Sequence, residues 1–312
     1  MRDAMAHGGP DDAGIYLDAE KGLALGHRRL SIIDLSSGGH QPMQREHVIL
    51  AFNGEIYNFR ALRQELLVLG QSFSTDSDTE VIIRAYQQWG TSCFGRFRGM
   101  FAIALYDLKD HKLILGRDHA GIKPLYYYLS GNKLYFASEV RAFRRLGYWG
   151  EHPDWQIYLL TYGFLPEPIT TLREVKPLEK GSFLEIDLHS FTCRHQYFYR
   201  EHFTEEIHDL QDATHAIRAS LTAAVRSHLI SDAPIGLFLS GGIDSSLLTL
   251  LAQPFVPNDL HTLSLVFQDQ QFSEEAYQQV IIQKTGARHQ AFCVTKKDFD
   301  DSFDDIMQAM DQ

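Results

Sequence analysis

The chain has 312 residues, of which 44% are hydrophobic and 22% charged, and its formal net charge is −11. That length supports two domains with buried cores, and the acidic balance argues against nucleic acid or an anionic membrane as the main partner. No apolar run approaches the length of a membrane span and the first residues are polar, so we expect a cytoplasmic protein. Three scattered cysteines indicate reduced thiols rather than a disulfide framework.

The first two thirds of the chain alternate strand-like and turn-like segments with a few helices. Period-two alternation predicts strands at 23–34, 48–59, 99–108, 111–118, 132–139 and 181–188, with a hairpin turn at 107–112. Apolar residues three and four apart predict helices at 58–69, 78–89 and 154–162. This mixture predicts an α+β domain built on antiparallel sheet.

After residue 208 the pattern changes to regular alternation of helix and strand. It predicts helices at 209–230, 244–252, 273–285 and 297–310, and strands at 235–239, 261–267 and 289–294. Repeated strand–helix units predict a parallel sheet with crossover helices. We therefore divide the chain into a first domain at 1–194, a linker at 195–208 and a second domain at 209–312.

The stretch FLSGGIDSS, residues 238–246, predicts a strand, a Gly-Gly turn and the start of a helix. The N–H groups and dipole at such a helix start favour a phosphate, and glycines let it approach the backbone. Asp244 would repel a bare phosphate but can hold a Mg²⁺ ion that bridges one. The stretch is neither a Walker loop nor a dinucleotide-binding turn. The alternative is a tight turn in which Asp244 or Ser245 caps the helix.

A series of motifs resembles a known family. SGGIDSS is similar to the pyrophosphate loop of ATP-pyrophosphatases, and eight stretches of the first domain resemble class II glutamine amidotransferases. They are GPDDAGIY (9–16), LALGHRRLSIIDLS (23–36), GHQPM (39–43), FNGEIYNF (52–59), SDTEVIIRAY (77–86), GMFAIALYD (99–107), GIKPLYY (121–127) and FASEVRA (136–142). Together they resemble glutamine-hydrolysing asparagine synthetases. The resemblance implies an Ntn-hydrolase-like αββα sandwich followed by an incomplete α/β domain with a parallel sheet of the ATP-pyrophosphatase type.

The chemistry implied by this resemblance is amide transfer. The first domain would hydrolyse glutamine to glutamate and ammonia, and the second would use ATP and Mg²⁺ to adenylate aspartate. Ammonia would then attack the β-aspartyl-AMP, giving asparagine and AMP after pyrophosphate has left. The implied partners are the small molecules glutamine, aspartate and ATP, with no nucleic acid or membrane, and the intact protein could form a homodimer.

The resemblance also implies roles for individual residues of the first domain. Arg29 would bind the glutamine α-carboxylate, and Asn53 with Gly54 would form the oxyanion hole. Glu55 and Asp78 would bind the α-amino group. Main-chain contacts would come from Leu30, Ser31, Ile32 and Ile33.

Each of these assignments has a simpler structural alternative. Arg29 could be an exposed strand arginine, since another arginine precedes it. Asn-Gly between apolar segments is a strong signal for a type I′ hairpin turn. Ser77 and Glu80 have the spacing of a capping box, which would make the neighbouring Asp78 part of a helix start.

In the second domain the resemblance implies an ATP site. Ser240, Gly241, Gly242, Asp244 and Ser245 would hold the pyrophosphate, with Asp244 as the Mg²⁺ ligand. Phe238 and Leu265 would make main-chain contacts to the adenosine.

Departures from the family pattern leave alternatives open. The family's nucleophile is an N-terminal cysteine whose own amine acts as the base, whereas this sequence begins MRDAMAHGGPDD and ends AMDQ. We therefore expect an internal fragment of a longer enzyme, without glutaminase activity by itself. A relative acting on another carboxylate, such as a β-lactam-forming synthetase, is the first alternative, and a non-catalytic binding protein is the second. The retained glutamine-site residues argue against the former, and the intact loop argues against the latter.

Overall fold

The computed structural model describes residues 1–147, 149–204, 206–257, 259–269, 271 and 273–311. The chain folds into two compact units, Met1–His202 together with Asp311, and Phe203–Met310. The division into domains at 1–194 and 209–312 with a linker between them stays a prediction.

The first unit combines antiparallel strands with four α-helices in its described residues. The strands are β1 Asp12–Asp18, β2 Leu23–Arg29, β3 Met43–Arg45, β4 Val48–Ile56, β5 Gly99–Asp107, β6 Lys112–Arg117, β7 Tyr126–Ser130, β8 Lys133–Ala137, β9 Lys176–Pro177, β10 Ser182–Asp187 and β11 Cys193–Tyr197. The helices are α1 Phe59–Val68, α2 Asp78–Trp89, α3 Arg141–Arg144 and α4 Trp155–Tyr162. Pairing of Asp107 with Lys112 confirms the predicted hairpin between β5 and β6.

These elements form four layers. A six-stranded sheet in the order β11-β10-β6-β5-β4-β3 packs against a second layer made of β1-β2 and β8-β7-β9. The core between the two sheet layers includes Leu25, Ile49, Tyr106 and Leu184. On the outer face of the six-stranded sheet, α2 contacts β3 and β4 and carries α1 beside it.

A thinner helical layer covers the other sheet layer. It consists of α3 and the 3₁₀ helix Arg2–Gly8, whose apolar residues pack with Phe143 against the tyrosines of β7 and β8. The order helix, sheet, sheet, helix confirms the expected αββα sandwich.

The second unit is a parallel α/β structure. Its elements are α5 Leu210–His228, β12 Gly236–Phe238, α6 Ile243–Ala252, β13 His261–Phe267, α7 Glu275–Thr285, β14 Arg288–Val294 and α8 Lys296–Ala309. The strands pair in parallel in the order β12-β13-β14, which confirms the predicted parallel sheet. Every one of these elements begins and ends within two residues of its predicted bounds.

Two predicted strands of the first unit are too long. The segment 23–34 leaves the sheet after Arg29, because the arginine side chain binds the carbonyl groups of the loop that follows. The segment 48–59 leaves it after Ile56, where the Tyr57 N–H donates to the Arg98 carbonyl before α1 begins.

Within the described part of the chain, none of the helices combines the length and the apolar character that crossing a membrane requires.

Candidate functional site

A cavity of about 100 Å³ lies in the first unit where β2, β4 and the start of α2 come together. Predicted site residues from all three places line it: Arg29, Leu30, Ile32, Ile33, Asn53, Gly54, Glu55 and Asp78. Ser31 does not line the cavity, and its N–H donates to the Asp11 carboxylate at 2.8 Å. No local pattern forces residues so far apart in sequence into one cavity, so their convergence is a property of the fold.

The edge of β4 that faces this cavity is largely free of strand pairing. The short strand β3 pairs with β4 only from Val48 to Leu50. Beyond Leu50, side chains instead of a strand accept the backbone N–H groups on this edge. The Phe52 N–H donates to Gln41 Oε1 at 2.7 Å. The Ile56 N–H donates to Asp78 Oδ2 at 3.0 Å.

Gly54 lies between these two anchored residues. Its partner across the β4–β5 pair is Phe101, whose N–H and C=O both bond to Asp118 on the far side of β5. Gly54 and Phe101 therefore form a pair without mutual hydrogen bonds, and the Gly54 N–H points to the same edge as those of Phe52 and Ile56. This is the direction that an oxyanion donor needs.

The hairpin-turn interpretation of Asn53-Gly54 is wrong. Both residues lie inside β4, and Asn53 pairs with Ala102 in the middle of the sheet. Gly54 has a φ of +149°, and a Cβ there would lie 2.0 Å from the Met100 carbonyl oxygen. Glycine is required here by close strand approach rather than by a turn.

The interpretation of Arg29 as an exposed strand arginine is also wrong. Its guanidinium is buried and donates to the carbonyl oxygens of Ile33 at 3.1 Å, Asp34 at 2.5 Å and Ser36 at 3.2 Å. Three of the five guanidinium N–H groups thereby hold the loop that borders the cavity. A Cβ at Gly39 would lie 1.9 Å from Nη2, so this loop accepts only glycine there.

Asp78 is the first residue of α2 and its carboxyl group is buried. Burial raises its pKa to about 6, against the opposing effect of the N–H groups of Ile56 and Thr79 and of the Arg29 charge. A buried carboxylate beside an open cavity suits a bound ammonium group.

The capping interpretation of this helix start is half correct. Ser77 is the N-cap, and its side chain accepts the Thr79 N–H at 3.2 Å. Glu80 does not complete a capping box, because its carboxylate accepts the N–H groups of Ser74 and Thr75 and the Arg45 guanidinium. Asp78 is therefore not needed for the cap.

Several residues of the cavity were not identified from the sequence. They are Gly8, His27, Arg28, Gln41, Phe52, Ser77, Thr79 and Lys123. His27 precedes Arg29 by two on β2, so strand alternation already places both side chains on one face. No comparable signal marks Gln41, which lies in the loop before β3.

The Gly-Gly loop of the second unit borders a separate cavity of about 270 Å³. Phe238, Ser240 and Leu265 line it among the predicted ATP residues, together with Glu274 and Gln278. The other four predicted residues, Gly241, Gly242, Asp244 and Ser245, lie in the adjoining loop and first turn of α6.

Internal hydrogen bonds set the shape of this loop. The Ser240 and Ser245 hydroxyls are 2.9 Å apart, and the Gly242 N–H donates to Ser240 Oγ at 3.2 Å. The N-cap of α6 is Gly242 and makes no side-chain capping bond, so the interpretation of Asp244 or Ser245 as the cap is wrong. Asp244 is exposed in the first helical turn.

Comparison with known proteins connects these two sites to named families. A family model described as a glutamine amidotransferase domain matches residues 1–198, and one described as asparagine synthase matches residues 216–312. The chain is 31% identical to a putative glutamine-hydrolyzing asparagine synthetase 2 of Methanocaldococcus jannaschii, over 97% of this chain and 63% of the relative. It is 38% identical to glutamine-hydrolyzing asparagine synthetase 1 of Bacillus subtilis, over 88% of this chain and 43% of the relative.

The chain thus spans about half the length of these curated relatives. Among solved structures, the glutamine phosphoribosylpyrophosphate amidotransferase from B. subtilis complexed with ADP and GMP is 18% identical, with a TM-score of 0.42 over 86% of this chain and 51% of that chain. The first family model covers more than half of the chain. The chain therefore belongs to the glutamine amidotransferase family, and the segment that matches the asparagine synthase model follows its amidotransferase domain.

Proposed function

We propose that this chain carries the glutamine site and part of the ATP site of a glutamine-dependent asparagine synthetase. The proposal depends most on one observation, the convergence of Arg29, Gly54 and Asp78 on a single cavity. The proposal includes aspartate as the acceptor, a cytoplasmic location and a homodimer of the intact protein, all as implied by the family.

The cavity offers complementary groups to each end of L-glutamine. The Arg29 guanidinium lines the cavity and would supply positive charge and hydrogen-bond donors to the α-carboxylate. Asp78 and the buried Glu55 match the α-ammonium group. The Gly54 N–H and the Asn53 side-chain amide, which also donates to Ser138 Oγ at 3.4 Å, would donate to the γ-carbonyl oxygen, where negative charge develops during hydrolysis.

The first experiment measures glutamine binding by calorimetry. Arg29→Lys keeps the charge but removes the planar guanidinium group and its fixed N–H donors. We therefore expect the Kd for L-glutamine to rise by at least about tenfold. Arg173→Lys, a matched change at an exposed arginine, should leave the Kd unchanged. Wild-type affinity in Arg29→Lys, or equal binding of D-glutamine and L-glutamine by the wild-type chain, would contradict the proposed site.

The loop of the second unit supports Mg·ATP binding. Its hydroxyl groups and the start of α6 suit a phosphate, and its one acidic side chain is exposed. Among the described residues, no three or more His, Cys, Asp or Glu side chains lie close enough together to hold a metal ion without further ligands. A single carboxylate sharing Mg²⁺ with phosphate oxygens is the arrangement that this ion commonly adopts, so the loop fits it. When bound, Mg²⁺ would neutralise phosphate charge.

The second experiment compares ATP binding with and without magnesium. In the wild-type chain we expect Mg²⁺ to tighten ATP binding by roughly tenfold, because Asp244 and the phosphates share the ion. In Asp244→Ala this gain should disappear, whereas Asp300→Ala, at an exposed position of α8, should keep it. An undiminished magnesium effect in Asp244→Ala would remove this residue from the site.

A further inference from the structure

The backbone of Phe52 is held by two side chains instead of by a neighbouring strand. Its N–H donates to Gln41 Oε1 at 2.7 Å, and its C=O accepts from His27 Nε2 at 2.9 Å. Both backbone groups belong to the β4 edge that β3 leaves open after Leu50. Buried backbone groups need partners, so these two side chains replace the missing strand at this point.

Gln41 connects this strand to the helix that carries Asp78. Its side chain is buried, and its Nε2 donates to Thr79 Oγ1 at 3.4 Å while its Oε1 holds Phe52. Thr79 follows Asp78 in the first turn of α2. The amide of Gln41 thus bridges the residue two before Gly54 and the residue after Asp78.

His27 holds the same strand from the other sheet layer. Since a carbonyl oxygen can only accept, His27 must carry a proton on Nε2. Burial lowers the pKa of His27 to about 4, so at neutral pH this is the neutral ring protonated on Nε2. The anchor is therefore uncharged across the physiological range.

We infer that Gln41 is a positioning residue that, together with the bond from the Ile56 N–H to Asp78 Oδ2, sets the distance between the Gly54 N–H and the Asp78 carboxylate, with His27 as a further anchor of the strand. The inference rests on the proposed function, in which Gly54 and Asp78 bind opposite ends of one glutamine. A shift of the strand relative to the helix would misplace the Gly54 donor or the Asp78 acceptor, although neither residue is itself altered.

The test replaces Gln41 by a side chain of similar length that cannot form the bridge. In Gln41→Met we expect the Kd for L-glutamine to rise about tenfold, and amide hydrogen exchange at Phe52, whose N–H Gln41 holds, to accelerate at least tenfold. Thr79→Val cuts only the link to the helix, so it should weaken glutamine binding while Phe52 exchange stays slow. Gln44→Met, at an exposed glutamine of β3, should change neither quantity.

Two readouts separate this inference from the proposed function. If the wild-type chain does not bind L-glutamine, the proposed function fails, while exchange at Phe52 still decides whether Gln41 holds the strand. Slow exchange of the Phe52 amide in Gln41→Met would overturn the inference, whatever the affinity. If Gln41→Met does not fold, Thr79→Val decides: wild-type glutamine affinity in that variant would overturn the bridging role.

Discussion

Replacing Gly54 by alanine should lower the free energy of unfolding of the first unit by roughly 3–5 kcal/mol, from the combined cost of overpacking and backbone strain. The new Cβ would lie 2.0 Å from the Met100 carbonyl oxygen and 2.8 Å from Phe101 Cα, at a φ of +149°. Both obstacles are backbone atoms of β5, which is itself paired with β6 and cannot retreat. The strand must therefore shift, and the N–H that faces the cavity shifts with it.

Tryptophan fluorescence can follow this effect in one unit of the intact chain. All three tryptophans, Trp89, Trp149 and Trp155, lie between Met1 and His202. Denaturant unfolding observed at these residues therefore reports on the first unit. Gly22→Ala is the matched control, since Gly22 has a φ of +63° but no atom within 4 Å of a new Cβ. It should cost only about 1 kcal/mol, and equal losses at the two sites would show that close strand approach is not what requires Gly54.

Changing Asp78 to asparagine should stabilise the first unit and abolish glutamine binding. Burial raises the pKa of Asp78 from 3.8 to about 6, so the folded chain holds this proton more tightly than the unfolded chain. Stability therefore falls as the pH rises from about 4 to 6, and the ionised group remains a cost at neutral pH. Asparagine can still accept the Ile56 N–H but carries no buried charge, which should raise the free energy of unfolding at pH 7 by roughly 1–3 kcal/mol.

The same substitution removes the side chain that we propose as the negative partner of the ammonium group of glutamine. Loss of one member of a buried charge pair typically costs about 2–5 kcal/mol of binding, so the Kd should rise by at least about thirtyfold. Unfolding curves between pH 4 and pH 7 and calorimetry with L-glutamine measure the two effects in one variant. Asp76→Asn, at a neighbouring exposed aspartate that contacts Arg63, should leave both nearly unchanged. A destabilised Asp78→Asn, or one that binds glutamine normally, would refute this account of the carboxylate.

Periodicity alone predicted most of the helices and strands, because alternation and amphipathic spacing are local signals of burial. It also placed Asn53 and Gly54 correctly in a strand, whereas the Asn-Gly dipeptide signal wrongly suggested a turn there. A turn and a close-packed strand both require glycine, and only the pairing with Phe101 distinguishes them.

The candidate site was predictable through family resemblance more than through residue patterns. Resemblance placed Arg29 and Asp78 in one site, and the fold brings both to one cavity. It included Gln41 in the GHQPM stretch but gave it no role, because its contribution depends on where β3 ends. The residue at which β3 ends is set by pairing between segments distant in sequence, so neither composition nor residue spacing predicts it.

The early end of β3 has a consequence for engineering of this scaffold. A longer β3 and a bound ligand would compete for the same backbone groups of β4, since an N–H that donates to a neighbouring strand cannot also donate to a ligand. If β3 continued past Leu50, it would form backbone hydrogen bonds with Phe52 and Gly54 of β4. We expect such a domain to be more stable, but the Gly54 N–H could no longer donate to a bound ligand. Substitutions that aim to stabilise such domains should therefore not lengthen β3, because the proposed ligand contacts need the unpaired edge of β4.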